Sequence, residues 1–164
     1  MAFDMAKEHL RKAGLEDRIY EFEVSSATVE LAAQAVGCEP ARIAKTLSFM
    51  VDQKAVLIVA AGDAKVDNAR FKAQFQKKAK MLTPAEALSF TGHAVGGVCP
   101  FAIENPQVRV FLDVSLKRFE TVFPACGSSN SAIELTCSEL EAYSNALEWV
   151  DVCKGWREEE QENG

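Results

Sequence analysis

The chain's 164 residues are enough for one domain with a sizeable core, and 48% of them are hydrophobic, as in ordinary globular proteins. The net charge of −6 argues against a protein that coats nucleic acid nonspecifically. No apolar run approaches the roughly 20 residues of a membrane span, and the first residues lack the apolar core of a secretory signal. We therefore expect a cytoplasmic protein. Its five cysteines form no CxxC pair, which argues against a disulfide framework or a zinc site.

The first half of the chain alternates between helical and extended patterns. Apolar spacing predicts a helix that Gly14 ends, and a second helix that residues 25–28 open and Gly37 closes. Two β-prone runs joined by a short polar turn predict a hairpin, whose second strand is apolar throughout, as in a strand buried on both faces. The predicted helices cover residues 2–13, 25–36 and 67–77, and the predicted strands cover residues 20–24, 46–51 and 55–61.

The second half continues with short elements. Thr83 and Pro84 match a helix cap and first helical position, and a Gly-rich stretch follows over residues 91–101. The predicted strands cover residues 81–82, 108–113, 121–123 and 132–135, and residues 147–152 are predicted to form a final short strand or turn. The predicted helices follow Thr83 and cover residues 115–119 and 137–143. Because strands occur both in hairpins and across helices, we predict an α+β fold with a mixed sheet. We expect one domain over residues 1–152 and an acidic, frayed tail over residues 153–164.

Few residues offer catalytic chemistry. There is no GxSxG, HExxH or Walker sequence, and the only histidines are His9 and His93. We expect neither a metal nor a cofactor. Lys45 opens a strongly apolar strand, where it can present its ammonium to an anion such as phosphate. The alternative is an edge lysine whose stem covers apolar surface.

The Gly-rich stretch is the second candidate. Gly96 and Gly97 precede Pro100, and glycines let backbone N–H groups approach a ligand and stabilise a developing oxyanion. A plain tight turn explains these glycines equally well. His93 lies in the same stretch, where a structural role is the alternative to a functional one.

A local excess of basic residues follows the predicted hairpin. Six cations occur between residues 65 and 80 against one acid, Asp67, and such an excess can meet a phosphate backbone. The alternative is a solvated helix face. The six candidate residues for binding a phosphate backbone are Lys65, Arg70, Lys72, Lys77, Lys78 and Lys80.

Four segments in this order resemble the YbaK family, also called the prolyl-tRNA synthetase-associated or editing domain. They are residues 42–49 around Lys45, residues 60–67, the G-x-x-x-P loop from Gly96 to Pro100, and residues 111–119 followed by Cys126 and residues 127–128. The resemblance covers roughly residues 2–145. It implies a mixed, partly barrel-like β-sheet surrounded by helices.

The resemblance also implies a free-standing deacylase that hydrolyses the ester of a mischarged tRNA, with alanine, cysteine or serine on tRNA(Pro) as the expected substrates. In this hypothesis Lys45 holds the terminal phosphate or ribose, while the N–H groups of Gly96 and Gly97 orient the carbonyl. Water assisted by the substrate's 2′-hydroxyl attacks, or a cysteinyl thiol attacks its own ester. Pocket size excludes proline. Cys99 is expected to line the pocket, since no base is identifiable beside it.

The expected substrate pocket comprises Phe49, His93, Val98, Cys99, Pro100, Phe101 and Asp113. The expected partners are the acceptor end of an aminoacyl-tRNA and, for recognition, prolyl-tRNA synthetase or another translation factor. A monomer is the default, and no membrane partner is expected. Three alternatives stay open at this point: a non-catalytic module that binds aminoacyl-tRNA or an amino acid, an esterase or amidase for small amino-acid esters, and an interaction domain.

Overall fold

The computed structural model of the chain describes residues 2–22, 28–93, 99–103, 105–126 and 131–157. Five α-helices occur in this part of the chain: α1 (Ala2–Lys12), α2 (Val29–Val36), α3 (Asn68–Phe75), α4 (Pro84–Thr91) and α5 (Cys137–Ser144). Its ten strands are β1 (Ile19–Glu21), β2 (Ile43–Val51), β3 (Lys54–Ala61), β4 (Lys65–Val66), β5 (Val108–Asp113), β6 (Thr121–Pro124), β7 (Ser131–Ile133), β8 (Leu135–Thr136), β9 (Glu148–Val150) and β10 (Cys153–Lys154).

The main sheet has six strands in the order β8-β6-β2-β3-β5-β9. The β2–β3 and β6–β8 pairs are antiparallel, whereas the β2–β6, β3–β5 and β5–β9 pairs are parallel. Two short ribbons, β1 with β7 and β4 with β10, complete the strand pairing. The sheet curls into a half-barrel among the five helices, so the predicted α+β fold with a mixed, partly barrel-like sheet is confirmed.

The predicted hairpin is the centre of this sheet. β2 and β3 pair from Ala44 opposite Ala61 to Val51 opposite Lys54. Asp52 and Gln53 form the connecting turn with φ of 51° and 66°, the left-handed conformation that two-residue hairpin turns require. Residues 55–61 of β3 are fully buried between β2 and β5, which confirms the prediction of a central buried strand.

Local capping explains where the helices begin. Thr28 caps α2, Asp67 caps α3, and Thr83 and Thr136 form reciprocal capping boxes at α4 and α5. The predicted α3 boundary is two residues too long, because Gln76 takes a left-handed conformation with φ of 59° after Phe75. The predicted opening of α2 falls partly on residues 25–27, which lie outside the described residues.

Three predicted elements of the second half differ in the structure. The predicted strand over residues 81–82 is only an isolated bridge between Met81 and Phe49. The predicted helix over residues 115–119 is a 3-10 turn, Val114–Arg118, in which Ser115 N–H donates to the side chain of Asp113. The predicted strand over residues 132–135 is split into β7 and β8 at Glu134, because β7 pairs with β1 and β8 pairs with β6. The segment that is predicted as one strand therefore contributes to two different sheets.

An aromatic core fills one face of the main sheet. Phe71 of α3 lies 4.8 Å from the ring of Phe49 and 4.7 Å from that of Phe75, which lies 5.1 Å from Phe111 of β5. Since side chains alternate along a strand, this face also carries Lys45, four residues before Phe49. The α3 face of the sheet is therefore both the core face and the face of the candidate lysine.

The end of the described chain packs on the domain. Cys153 and Lys154 pair with Val66 and Lys65, and Val152 and Cys153 are fully buried. Residues 153–157, which the sequence analysis assigns to the tail, are thus packed, while the division into a domain and a tail stays a prediction. None of the helices in the described ranges is long and apolar enough to cross a membrane.

Candidate functional site

A gap in strand pairing marks the start of β2. On the edge of β2 that faces away from β3, β6 pairs only with Ile43 and Ala44. The chain around Met81 and Leu82 covers the same edge from Ser48 onward, through an isolated bridge to Phe49 and a bond from Leu82 N–H to Ser48 O. Between these two partners, residues 45–47 have no neighbouring strand among the described residues. The buried hydroxyl of Thr46, inside this gap, also lacks a partner there.

Lys45 stands at the start of this gap and its ammonium bonds to a neutral group. The side chain is half-buried, and its Nζ donates to Gly62 O over 3.4 Å. Burial lowers the pKa of Lys45, and this effect is opposed by Cys153 and Asp63. Within the described residues no carboxylate forms a salt bridge with Lys45. A partly buried ammonium bound only to a carbonyl can still accept an anion.

The turn after β3 supplies that carbonyl. A Cβ on Gly62 would lie 2.0 Å from Pro40 O, so only glycine allows this close approach of two backbone segments. Gly62 N–H also donates to Ala41 O over 3.3 Å. The next residue, Asp63, accepts two hydrogen bonds from the guanidinium of Arg118. The Gly62 carbonyl that faces Lys45 is therefore held in place by the contact of Gly62 with residues 40–41 and by the bond of Asp63 to Arg118.

Asp113 and Cys153 are buried on the Lys45 face of the sheet. The fully buried Asp113 carboxylate accepts bonds from Ser115 N–H at 2.9 Å and Val152 N–H at 3.0 Å. Burial raises the pKa of the Cys153 thiol, as does the negative charge of Asp113. Asp113, at the end of β5, thus binds backbone N–H groups of the protein itself, one of them two residues after β9. Its assignment to the substrate pocket stays a prediction.

His93, Cys99 and Phe101 form a second, buried cluster. The Nε2 of His93 lies 3.1 Å from Phe101 O and 3.6 Å from the sulfur of Cys99. The sequence analysis identifies no base beside Cys99, and the structure places His93 there. However, a carbonyl can only accept, so Nε2 carries the proton, and burial lowers the pKa of His93. His93 therefore has no free lone pair on Nε2 with which to deprotonate the Cys99 thiol.

The predicted pocket residues divide between the two faces of the sheet. Lys45 and Phe49 share the α3 face, and Phe49 is 3% exposed and packed on Phe71. Pro100 lines a groove of about 720 Å³ with Val108, Val110 and residues of α1 on the opposite face. Gly96, Gly97 and Val98 lie outside the described residues, so their predicted roles stay predictions.

Cys99 of the buried His93 cluster lies near Cys126, the residue that follows β6 by two positions. Pro124 of β6 pairs with Ala44. Cys99 and Cys126 are close enough for Cys99 to contribute to the raised pKa of Cys126, after the larger effect of burial. Hence Cys99, which follows residues 94–98, and Cys126, which precedes residues 127–130, are neighbours.

The basic residues after the hairpin are only partly neutralised. Arg70 pairs with Asp151 at 3.0 Å, and Lys77 pairs with Asp52 at 3.4 Å. Lys65 acts electrostatically on Lys45. Lys65, Lys72, Lys78 and Lys80 form no salt bridge within the described part of the chain. Two of the six predicted tRNA-binding cations are thus paired, and the role of all six stays a prediction.

Five residues around Lys45 are not recognisable as site residues from the sequence: Gly62, Asp63, Cys153, Arg118 and Trp156. The first two do lie in a segment that carries the family resemblance, residues 60–67, and Arg118 lies in another, residues 111–119. Their contacts join distant parts of the chain, as in the Arg118–Asp63 pair, which spans 55 residues. No local pattern signals such a contact.

Comparison with known proteins assigns the family. The model of the aminoacyl-tRNA editing domain matches residues 23–143, which is well over half of the chain. The chain therefore belongs to the aminoacyl-tRNA editing domain family, and the predicted resemblance is confirmed.

Three relatives illustrate this membership. An uncharacterized protein of Bacillus subtilis (strain 168), YwhH, is 53% identical over 157 residues, covering 95% of this chain and 99% of that protein. A proline–tRNA ligase of Thermotoga maritima is 28% identical over 93 residues, which are 56% of this chain and 16% of the ligase. The crystal structure of a candidate trans-editing enzyme for prolyl tRNA synthetase superposes with a TM-score of 0.84 at 28% identity, covering 94% and 98% of the two chains.

Proposed function

We propose that this protein is a free-standing deacylase that hydrolyses the ester of a mischarged aminoacyl-tRNA. Membership of the editing-domain family supports an editing role. The observation that carries the proposal is Lys45, a half-buried ammonium at an open stretch of strand edge, bonded to the carbonyl of Gly62 and to no carboxylate within the described residues. Such a group is suited to bind the anionic 3′ end of a tRNA.

The proposed chemistry needs only modest assistance from the protein. Lys45 holds the terminal phosphate or ribose, and the N–H groups of Gly96 and Gly97 orient the ester carbonyl and stabilise its oxyanion. A water molecule attacks the carbonyl carbon with the help of the substrate's own 2′-hydroxyl, and the tRNA 3′-oxygen leaves with a proton. The neutral, carbonyl-bound His93 and the buried Cys99 are not required for this route.

The proposed substrates are alanine, cysteine or serine on tRNA(Pro). The trans-editing structure described for prolyl tRNA synthetase and the proline–tRNA ligase match support this choice of tRNA. Lys65, Lys72, Lys78 and Lys80, which form no salt bridge with the described residues, are proposed to contact the acceptor stem, with prolyl-tRNA synthetase as a candidate partner. Steric exclusion must reject proline, because one methylene contributes only about 1–3 kcal/mol of discrimination.

A panel of preformed Ala-, Cys-, Ser-, Thr- and Pro-tRNA tests this proposal. We expect the protein to hydrolyse at least one mischarged species and to spare Pro-tRNA, as measured by loss of labelled amino acid from the tRNA. The same tRNAs incubated without protein give the spontaneous rate. If a folded sample hydrolyses none of them, alone or with prolyl-tRNA synthetase, the deacylase proposal fails and a binding module becomes the better description.

Replacing Cys99 by alanine is expected to leave deacylation within about threefold of wild type, because His93 offers no free Nε2 lone pair to activate the thiol. The measurement is the initial rate on the best substrate of the panel. Cys38→Ala, which removes a thiol that is only half-buried and belongs to another cluster, is the matched control. Near-total loss in Cys99→Ala, with a normal melting temperature and normal activity in Cys38→Ala, would show that the thiol takes part.

A further inference from the structure

Asp63 is an anion whose charge acts on the ammonium of Lys45. It directly follows Gly62, whose carbonyl binds Lys45. Cys153 acts on Lys45 as well, but its raised pKa keeps the thiol neutral at neutral pH. The other charges that act on Lys45 are Glu30 at the start of α2 and the like charge of Lys65 on β4. At neutral pH, Asp63 is therefore the larger of the anionic influences.

Asp63 is nevertheless bound to Arg118 instead of Lys45. The two terminal nitrogens of Arg118 donate to the two oxygens of Asp63 over 2.9 and 2.5 Å. Both side chains are less than one-third exposed. This two-bond geometry matches the planar guanidinium to the carboxylate, which an ammonium cannot reproduce.

The guanidinium of Arg118 is itself held in place by the protein. Its Nε donates to Ser115 O over 3.0 Å and Nη1 donates to Trp156 O over 3.2 Å. The guanidinium carbon also lies 4.8 Å from the ring centre of Phe119 and 5.0 Å from that of Trp156. Trp156 lies beyond residues 23–143, the part of the chain that the family model matches. The anchor of Arg118 is therefore partly supplied by the C-terminal segment.

We infer that Arg118 is a positioning residue for Lys45, because by binding Asp63 it prevents that carboxylate from capturing the ammonium that the substrate needs. Without Arg118, the Asp63 carboxylate would be unpaired, and Lys45 would form an internal salt bridge with it. With Arg118 in place, Lys45 keeps a neutral carbonyl as its partner and stays available to an external anion. The link to catalysis rests on the proposed function, whereas the link between Arg118, Asp63 and Lys45 does not.

The test is a double-mutant cycle with Arg118→Gln and Asp63→Asn, which remove the charges and keep much of the side-chain volume. The first readout is the pH dependence of Lys45 acetylation by acetic anhydride, followed by mass spectrometry of its peptide, because only the neutral amine reacts. We expect Arg118→Gln to raise the pKa of Lys45, since an unpaired carboxylate favours the charged form. The double variant is expected to return it to the wild-type value.

The second readout is deacylation of the best substrate of the panel. Arg118→Gln is expected to raise KM by about tenfold, and Asp63→Asn/Arg118→Gln to restore it to within about threefold of wild type. A purely structural role of Arg118 predicts no such recovery, because the double variant also lacks the Arg118–Asp63 pair. Arg11→Gln, which breaks the Arg11–Glu8 pair on α1, is the matched control.

The outcomes separate this inference from the proposed function. An unchanged Lys45 titration in Arg118→Gln, or a double variant that stays shifted, would overturn the inference. If the wild-type protein hydrolyses no aminoacyl-tRNA, the proposed function fails, while the titration still decides whether Arg118 controls Lys45. If Arg118→Gln does not fold, Asp63→Asn alone is informative: removing the carboxylate must lower the pKa of Lys45, and no change would contradict the inference.

Discussion

Replacing Lys45 is expected to lower kcat/KM for the edited aminoacyl-tRNA by about 100-fold, which corresponds to about 2.7 kcal/mol of lost transition-state stabilisation. The ammonium is half-buried and bonded to Gly62 O, so its position relative to the gap in β2 is fixed before substrate binds. A charge that is partly removed from water interacts more strongly with a phosphate than an exposed lysine does. Removing it therefore affects the reaction more than removing a surface cation.

Two variants separate the charge of Lys45 from its packing. Lys45→Ala removes both, whereas Lys45→Met keeps most of the stem that packs in the half-buried site and removes only the ammonium. Both are expected to lose activity to a similar degree, as measured by initial rates on the substrate that the panel identifies. Lys54→Ala, an exposed lysine at the start of β3, is the control and should retain full activity. Activity within about twofold of wild type in Lys45→Met would remove Lys45 from the proposed mechanism.

The local structure could be predicted from the sequence wherever a short-range rule decides it. Thr83 and Pro84 indicate the start of α4, and the structure shows a capping box with proline in the first turn. The apolar run over residues 55–61 indicates a central strand, and β3 lies between β2 and β5. In each case the signal and the structure involve neighbouring residues, so no knowledge of the rest of the fold is needed.

The environment of the candidate site could not be predicted in the same way, because it depends on pairings between distant segments. The gap at residues 45–47 exists because β6 and the Met81 segment each cover only part of the edge of β2. The pairing of Arg70 with Asp151, across 81 residues, likewise removes one cation from a segment that is strongly basic in sequence. The position of Lys45 in the sequence and the family resemblance indicate this lysine, whereas its partners depend on the fold.

Gly62 shows how such a long-range contact constrains a single position, and Gly62→Ala is expected to destabilise the protein by about 3 kcal/mol or more. A Cβ at this residue would lie 2.0 Å from Pro40 O and 2.7 Å from Cγ1 of Val29. The oxygen belongs to the backbone of the 3-10 turn Pro40–Arg42, and Gly62 N–H donates to Ala41 O in the same turn. The added methyl group must therefore separate two backbone segments that a hydrogen bond holds together.

Gly14→Ala is the matched control for this prediction. Gly14 has φ of 78° and no atom within 4 Å of its added Cβ, so its cost is the left-handed conformation alone, about 1–2 kcal/mol. Gly62 is not among the glycines with positive φ, so its cost is steric alone. Urea unfolding should rank Gly62→Ala below Gly14→Ala in stability, and equal or reversed stabilities would contradict the close approach. Since Gly62 O is the partner of Lys45, we also expect the residual folded Gly62→Ala protein to lose deacylation, whereas Gly14→Ala keeps it.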